Sequence, residues 1–174
     1  MTLIAEAENA EDIADAFTKF KTLVPDHAPD ITASISELYA IGSALRDIDT
    51  ALNSTEHGRN FRLIQKDLAL VGSSLHHTVE DIFRILGDIG NGSRFLNDGM
   101  YRQTWKDIAL FFRQNGRITL RMRLEMYRRF ILELASIVKR FAFLSLIRMS
   151  LAHESEEGFL RQLSSVIFEA TFKD

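Results

Sequence analysis

The longest uninterrupted helical pattern in the chain runs from Thr119 to about Leu151. No proline or glycine occurs within it, and its apolar residues recur alternately every three and four positions. This spacing places them on one stripe of an α-helix. The rest of the chain is organised around this predicted helix. The members of the stripe are Leu120, Leu124, Tyr127, Ile131, Leu134, Val138 and Phe141.

Five further helices are predicted from the same periodicity and from residues that favour helix ends. Asn9, Asp30 and Asp98 are suitable N-caps, and Pro25 ends the first helix because its ring nitrogen cannot donate a hydrogen bond. Gly42 lies in the middle of the second predicted helix and would allow a neighbouring element to approach closely. The five helices run from about Asn9 to Leu23, Asp30 to Asn53, Asn60 to Ile89, Asp98 to Gln114, and Glu154 to Ala170.

The predicted fold class is therefore all-α. No strand-length run alternates valine, isoleucine or threonine with polar residues, and the only two prolines flank one short linker. We expect an elongated antiparallel helical bundle of five to six helices, three of them long. The second, third and fifth helices would form its frame, and the first, fourth and sixth would cover the open sides.

The chain has 174 residues, and its length and composition fit a single helical domain over residues 1–174. The sequence ends abruptly after Thr171, and this is compatible with the chain being the N-terminal module of a larger protein. There is no cysteine, which removes disulfides and thiolate chemistry. The N-terminus is acidic and resembles no signal peptide, and no apolar run approaches the length of a spanning helix. We expect a cytoplasmic protein.

Charge is distributed unevenly along the chain. Residues 1–60 carry four Lys/Arg and eleven Asp/Glu, whereas residues 101–150 carry eleven and three. One interpretation is that the arginines of the second block pair with carboxylates of the first two helices or face solvent. The other is a binding face for anionic lipid, nucleic acid or an acidic partner. The net charge of −3 implies no bulk attraction of the chain to nucleic acid, so nucleic acid is the least favoured of these ligands. The candidate basic interaction face comprises Arg113, Arg117, Arg121 and Arg128.

No motif in the sequence indicates catalysis, a cofactor or a metal. P-loop, dinucleotide-binding and nucleophile-elbow patterns are absent. The adjacent His76 and His77 point about 100° apart on a helix and cannot easily share an ion, so we interpret them as solvated. We therefore expect no catalytic residue, no cofactor and no enzymatic activity.

Two segments carry a family resemblance, Tyr101 to Ile108 and Arg121 to Leu134, with Leu68 to Ile89 adding to it. They resemble the N-terminal helical regions of fungal STAND proteins (NOD-like receptors) and relatives of the HeLo domain. The resemblance covers about residues 30–140. It implies a signalling or adaptor module attached to further domains and, in HeLo-like relatives, membrane-targeting cell-death activity. The acidic segment Glu6 to Asp12 departs from the apolar, glycine-rich start of that subgroup and does not favour membrane permeabilisation.

Two main functional hypotheses follow. The first is a non-enzymatic protein-interaction or signalling module that binds a protein partner or itself. The second is a helical domain recruited to an anionic membrane surface through its basic helix face. A pocket for a small ligand within the bundle is a third hypothesis.

Overall fold

The computed structural model describes residues 2–53, 61–90, 98–116 and 118–140, and these ranges contain helices and no strand. The all-α prediction is confirmed. The predicted sixth helix and the part of the fifth beyond residue 140 lie outside the described residues. Helix α1 spans Leu3–Leu23, α2 Ala28–Asn53, α3 Phe61–Gly90 and α4 Asp98–Gly116, a 3-10 turn spans Pro25–His27, and α5 covers residues 120–140.

Helix α1 begins at Leu3, so the predicted start at Asn9 is wrong. The hydroxyl oxygen of Thr2 accepts a hydrogen bond from the backbone N–H of Ala5 at 3.3 Å. That contact satisfies one of the N–H groups that a helix leaves free at its first turn. Asn9 therefore lies inside the helix, which becomes 21 residues long.

Helix α2 begins at Ala28, two residues before the predicted cap at Asp30. Proline is tolerated in the first turn of a helix, where its missing N–H would have no partner. Pro29 therefore does not delay the start of α2.

The antiparallel pair of α1 and α2 forms the centre of the molecule. Gly42 of α2 lies so close to α1 that a Cβ there would come within 2.9 Å of Glu11 Oε1 and 3.3 Å of the Ala7 carbonyl oxygen. The prediction of a close approach at Gly42 is confirmed. Small residues on α1 make this contact possible, since Ala7 and Ala10 are fully buried. Helix α1 is therefore a core element and does not merely cover an open side.

The other helices pack around this pair. Trp105 of α4 meets the buried Phe17 ring edge to face, with ring centroids 5.3 Å apart. Helix α5 runs beside α2 in the same direction, as the ion pairs Arg128–Glu37 and Lys139–Asp47 show. The largest fully buried side chains are Ile13, Phe17, Ile31, Leu38, Ile41, Leu45, Ile48, Leu75, Ile82, Ile108, Phe112 and Leu124.

Candidate functional site: the groove between α4 and α5

A surface groove of about 850 Å³ lies between α4 and the first turns of α2 and α5. It brings together parts of the chain that are distant in sequence, because residues of the 3-10 turn and of the start of α2 line it beside residues 103–113. We call it the α4/α5 groove. The lining residues that matter for its chemistry are Asp30, Lys106, Asp107, Leu110, Arg113, Arg121, Met122 and Glu125.

The start of α5 sets one wall of the groove. The Thr119 hydroxyl oxygen accepts a hydrogen bond from the backbone N–H of Met122 at 3.2 Å, so Thr119 is the N-cap of α5. This cap places Arg121 in the first turn of α5, where the helix dipole presents partial positive charge. A cation there is mildly unfavourable for the helix itself. The position of Arg121 therefore is not explained by helix stability.

The predicted basic face divides into three parts. Arg113 and Arg121 both line the α4/α5 groove. Arg128 does not line it, because its guanidinium forms an ion pair with Glu37 on α2. Arg117 lies outside the described residues. The structure thus brings two of the four predicted arginines together and assigns one to an internal ion pair.

The two groove arginines are not neutralised within the described part of the chain. Neither Arg113 nor Arg121 makes a hydrogen bond or ion pair to another described residue. Two of the carboxylates in the groove already have partners. Asp107 accepts a hydrogen bond from Gln103 at 2.8 Å, and Glu125 pairs with Arg129 at 2.6 Å.

Exposed apolar side chains lie beside these arginines. Leu110 is 53% exposed and Met122 is 51% exposed, and both line the groove. Met126, one turn further along α5, is 61% exposed. These residues were not predicted as part of a site. Their signal in the sequence is that they lie off the apolar stripe of their own helix, on a face where polar residues are expected.

A second feature lies near the start of α1, where Glu6 is only 3% exposed. Its Oε1 lies 3.0 Å from Nδ1 of His76, whose Nε2 lies 3.2 Å from Oε1 of Glu80. His76 therefore contacts two carboxylates and is not simply solvated, whereas His77 is 73% exposed. This contact is not predicted from the sequence, because the predicted first helix begins after Glu6 and the two residues are 70 positions apart.

The described residues hold no group of three or more histidine and acidic side chains that could bind a metal ion. None of the helices in the described part of the chain is long and apolar enough to cross a membrane. Comparison of the chain with protein-family models, curated proteins and solved structures finds no significant match.

Proposed function

We propose that this protein is a non-enzymatic interaction module that binds an acidic, amphipathic segment of a partner protein in the α4/α5 groove. The observation that carries the proposal is the pairing of two arginines lacking a described partner, Arg113 and Arg121, with the exposed side chains of Leu110 and Met122. The resemblance of residues 30–140 to helical signalling regions supports the same class of function.

The chemistry of the groove favours a carboxylate-bearing partner. Arginine presents a planar set of N–H donors that matches a carboxylate in two hydrogen bonds. The free N–H groups and dipole at the start of α5 add to the attraction for an anion next to Arg121. Asp30 and Asp107 lie on the same groove and disfavour a partner that is acidic along its whole length. A segment with clustered acidic residues and apolar residues one turn apart fits best.

The exposed apolar residues supply the second half of the interaction. Methionine is flexible and polarizable, so it adapts to partners of different shape. Binding would bury Leu110 and Met122 and remove apolar surface from water, which is favourable by about 25 cal/mol per Å². The charged residues would then determine which partner binds and how fast it associates.

A second candidate function is recruitment to an anionic membrane surface. Met122, Met126 and Phe130 recur every four residues on α5, and they are 51%, 61% and 39% exposed. This row lies next to the exposed guanidinium of Arg129, which is 72% exposed. Apolar residues flanked by arginine are typical of helices that lie in a membrane interface.

The test is selection of peptides from a display library on the full chain, followed by fluorescence anisotropy with the selected peptides. The selected peptides should carry clustered Asp/Glu and apolar residues at helical spacing. Arg113→Glu/Arg121→Glu should weaken their binding about a hundredfold, because two attractive charge pairs become repulsive. The loss should shrink at high salt, since salt screens exposed charges.

Lys19→Glu/Lys21→Glu is the matched control, because it makes the same change of charge on exposed residues of α1. Its affinity for the selected peptides should stay within about twofold of the wild type. Equal losses in the two variants would mean that only net charge matters and would contradict the proposal. If the chain binds phosphatidylserine vesicles through its arginines and selects no peptide, recruitment to an anionic membrane would be favoured instead. Concentration-dependent dimers in light scattering, abolished by the groove variant, would make a second copy the partner.

A further inference from the structure

The chain itself contains a segment of the kind that the proposed function assigns to the α4/α5 groove. Residues 154–170 carry four carboxylates and one cation, and three of the carboxylates are clustered at the start. Glu156 begins a row that continues with Leu160, Leu163 and Ile167 at alternating intervals of four and three positions. On a helix this spacing places the four side chains along one stripe. The segment lies outside the described residues, and its helix is a prediction from the sequence.

We propose that this C-terminal segment, residues 154–170, occupies the α4/α5 groove of a second copy of the chain. The inference rests on the proposed function, because it names the partner of the same groove. The carboxylates of the segment would lie beside Arg113 and Arg121, which have no partner among the described residues. Its apolar stripe would cover the exposed side chains of Leu110 and Met122. One chain therefore carries two surfaces of complementary charge and matching apolar character.

The apolar surface beside the groove has the length that the stripe requires. Met122, Met126 and Phe130 follow each other along α5 at intervals of four residues and are 51%, 61% and 39% exposed. This row is about 12 Å long, because an α-helix rises about 1.5 Å per residue. The stripe from Leu160 to Ile167 is about 10 Å long by the same measure. A helical segment that begins in the groove can therefore cover the whole row.

The distance along the chain between the groove and the segment favours a second copy over the same chain. Helix α5 is described to residue 140, and the sequence predicts that it continues to about Leu151. A helix from Arg121 to Leu151 is about 45 Å long. Glu154 follows three residues later, and a helix over residues 154–170 would return only about 25 Å along α5. The carboxylates at the start of the segment therefore stay far from the groove of their own chain.

The proposed contact joins two different surfaces, the groove of one copy and the C-terminal segment of the next. Such a heterologous contact continues from copy to copy unless the assembly closes into a ring. The experiment therefore measures the mass of the full chain by sedimentation velocity over a range of protein concentrations. The wild type should form dimers and larger species as the concentration rises. High salt should weaken them, because salt screens exposed charges.

Two variants reverse the charge on one side of the contact each. Arg113→Glu/Arg121→Glu is the groove variant, and Glu156→Lys/Glu157→Lys is the segment variant. Each should weaken self-association about a hundredfold, because two attractive charge pairs become repulsive. Self-association that survives in the segment variant would mean that the segment is not the occupant of the groove, and would overturn the proposal.

An equimolar mixture of the two variants gives the sharpest result. The unchanged groove of the segment variant then meets the unchanged segment of the groove variant, and the two reversed surfaces also carry opposite charges. Association should therefore return in the mixture, which also shows that both variants are folded. Two folded variants that stay monomeric when mixed would overturn the proposal. Arg113→Gln/Arg121→Gln, with a smaller expected loss, replaces a groove variant that does not fold.

Lys19→Glu/Lys21→Glu and Glu8→Lys/Asp12→Lys are the matched controls. Each makes the same change of charge at two exposed residues of α1. Both should self-associate with an affinity within about twofold of the wild type. Equal losses in the controls and in the two variants would mean that only net charge governs association, and would overturn the proposal.

A fluorescent peptide of residues 154–170 separates this proposal from the proposed function. The peptide should bind the segment variant, and adding Arg113→Glu/Arg121→Glu should weaken that binding about a hundredfold. If display-selected peptides bind the groove, but this peptide does not and the chain stays monomeric at millimolar concentration, the second copy is overturned and the proposed function stands. If no peptide of either kind binds the groove, both are overturned.

One further outcome would also overturn the second copy. The chain could stay monomeric while the peptide binds the segment variant much more tightly than it binds the wild type. The segment would then occupy the groove of its own chain.

Discussion

The guanidinium of Arg128 on α5 and the carboxylate of Glu37 on α2 form an ion pair, with Nε 2.5 Å from Oε2. The residues are 91 positions apart, and their side chains are 30% and 18% exposed. The pair joins a helix of the basic part of the chain to a helix of the acidic part. Lys139 and Asp47, 2.6 Å apart, repeat the arrangement further along the same two helices. Part of the charge asymmetry of the sequence is therefore neutralised inside the molecule.

Arg128→Ala should lower the free energy of unfolding by about 1–2 kcal/mol, because it leaves the largely buried Glu37 without its charge-assisted hydrogen bond. Arg129→Ala is the control, since Arg129 is 72% exposed and pairs with Glu125 in the same helix. Such exposed pairs contribute about 0.3–0.5 kcal/mol. Urea unfolding followed by circular dichroism measures both variants. Equal losses would show that the pair with Glu37 is no more important than a surface contact.

The fold class and most helix bounds could be predicted from the sequence, because caps and breakers act locally. Helices α2, α3 and α4 begin and end within two residues of the predicted bounds. The start of α1 could not be predicted, since Thr2 and Asn9 are both good N-caps and only packing distinguishes them. The choice matters, because the longer α1 brings Glu6 into the core.

The candidate sites were less predictable, because they depend on contacts between distant parts of the chain. The sequence placed Arg113, Arg121 and Arg128 on one basic face. It did not separate the two that share a groove from the one that pairs with a carboxylate 91 residues away. The contact between Glu6 and His76 spans 70 residues and leaves no local pattern.

Gly42→Ala should be less stable than the wild type, although alanine is normally about 1 kcal/mol better than glycine inside a helix. The new methyl group would press on the Glu11 side chain and on the Ala7 carbonyl oxygen. Glu11 cannot move freely, because Arg46 holds its carboxylate with hydrogen bonds of 3.1 and 2.6 Å. Gly72→Ala is the control, because nothing lies within 4 Å of a Cβ at that position. Its free energy of unfolding should rise by about 0.5–1 kcal/mol. A similar gain in the free energy of unfolding at both positions would mean that α1 does not pack closely against α2 at Gly42.

Phe17→Ala should lower the free energy of unfolding by about 3–5 kcal/mol, the usual cost of removing a fully buried phenylalanine. Phe17 is completely buried and meets the rings of Phe20 and Trp105 edge to face. Phe83→Ala, at a ring that is 39% exposed, should cost about 1 kcal/mol or less. Chemical unfolding of both variants gives the comparison. A small loss for Phe17→Ala would contradict the central position of α1.

Tyr39 should ionise at a higher pH than an ordinary tyrosine. Its hydroxyl donates a hydrogen bond to Oδ1 of Asp15, and this contact is the main cause of the raised pKa of Tyr39. Partial burial and the negative charges of Asp15 and Glu11 raise the pKa further. Because the folded-state pKa is the higher one, the contact contributes its full stability below the ordinary tyrosine pKa of about 10. That contribution is lost as the pH rises through the raised pKa.

Titration of the Tyr39 ring carbons by NMR measures this pKa directly. Asp15→Asn should lower the pKa of Tyr39 toward its ordinary value, because it removes both the charged acceptor and the repulsion of the phenolate. Asp12→Asn makes the same charge change one turn earlier on α1 and should leave the pKa of Tyr39 raised. If both variants lowered it equally, the cause would be the general acidity of α1. The hydrogen bond from Tyr39 to Asp15 would then not be the main cause of the raised pKa.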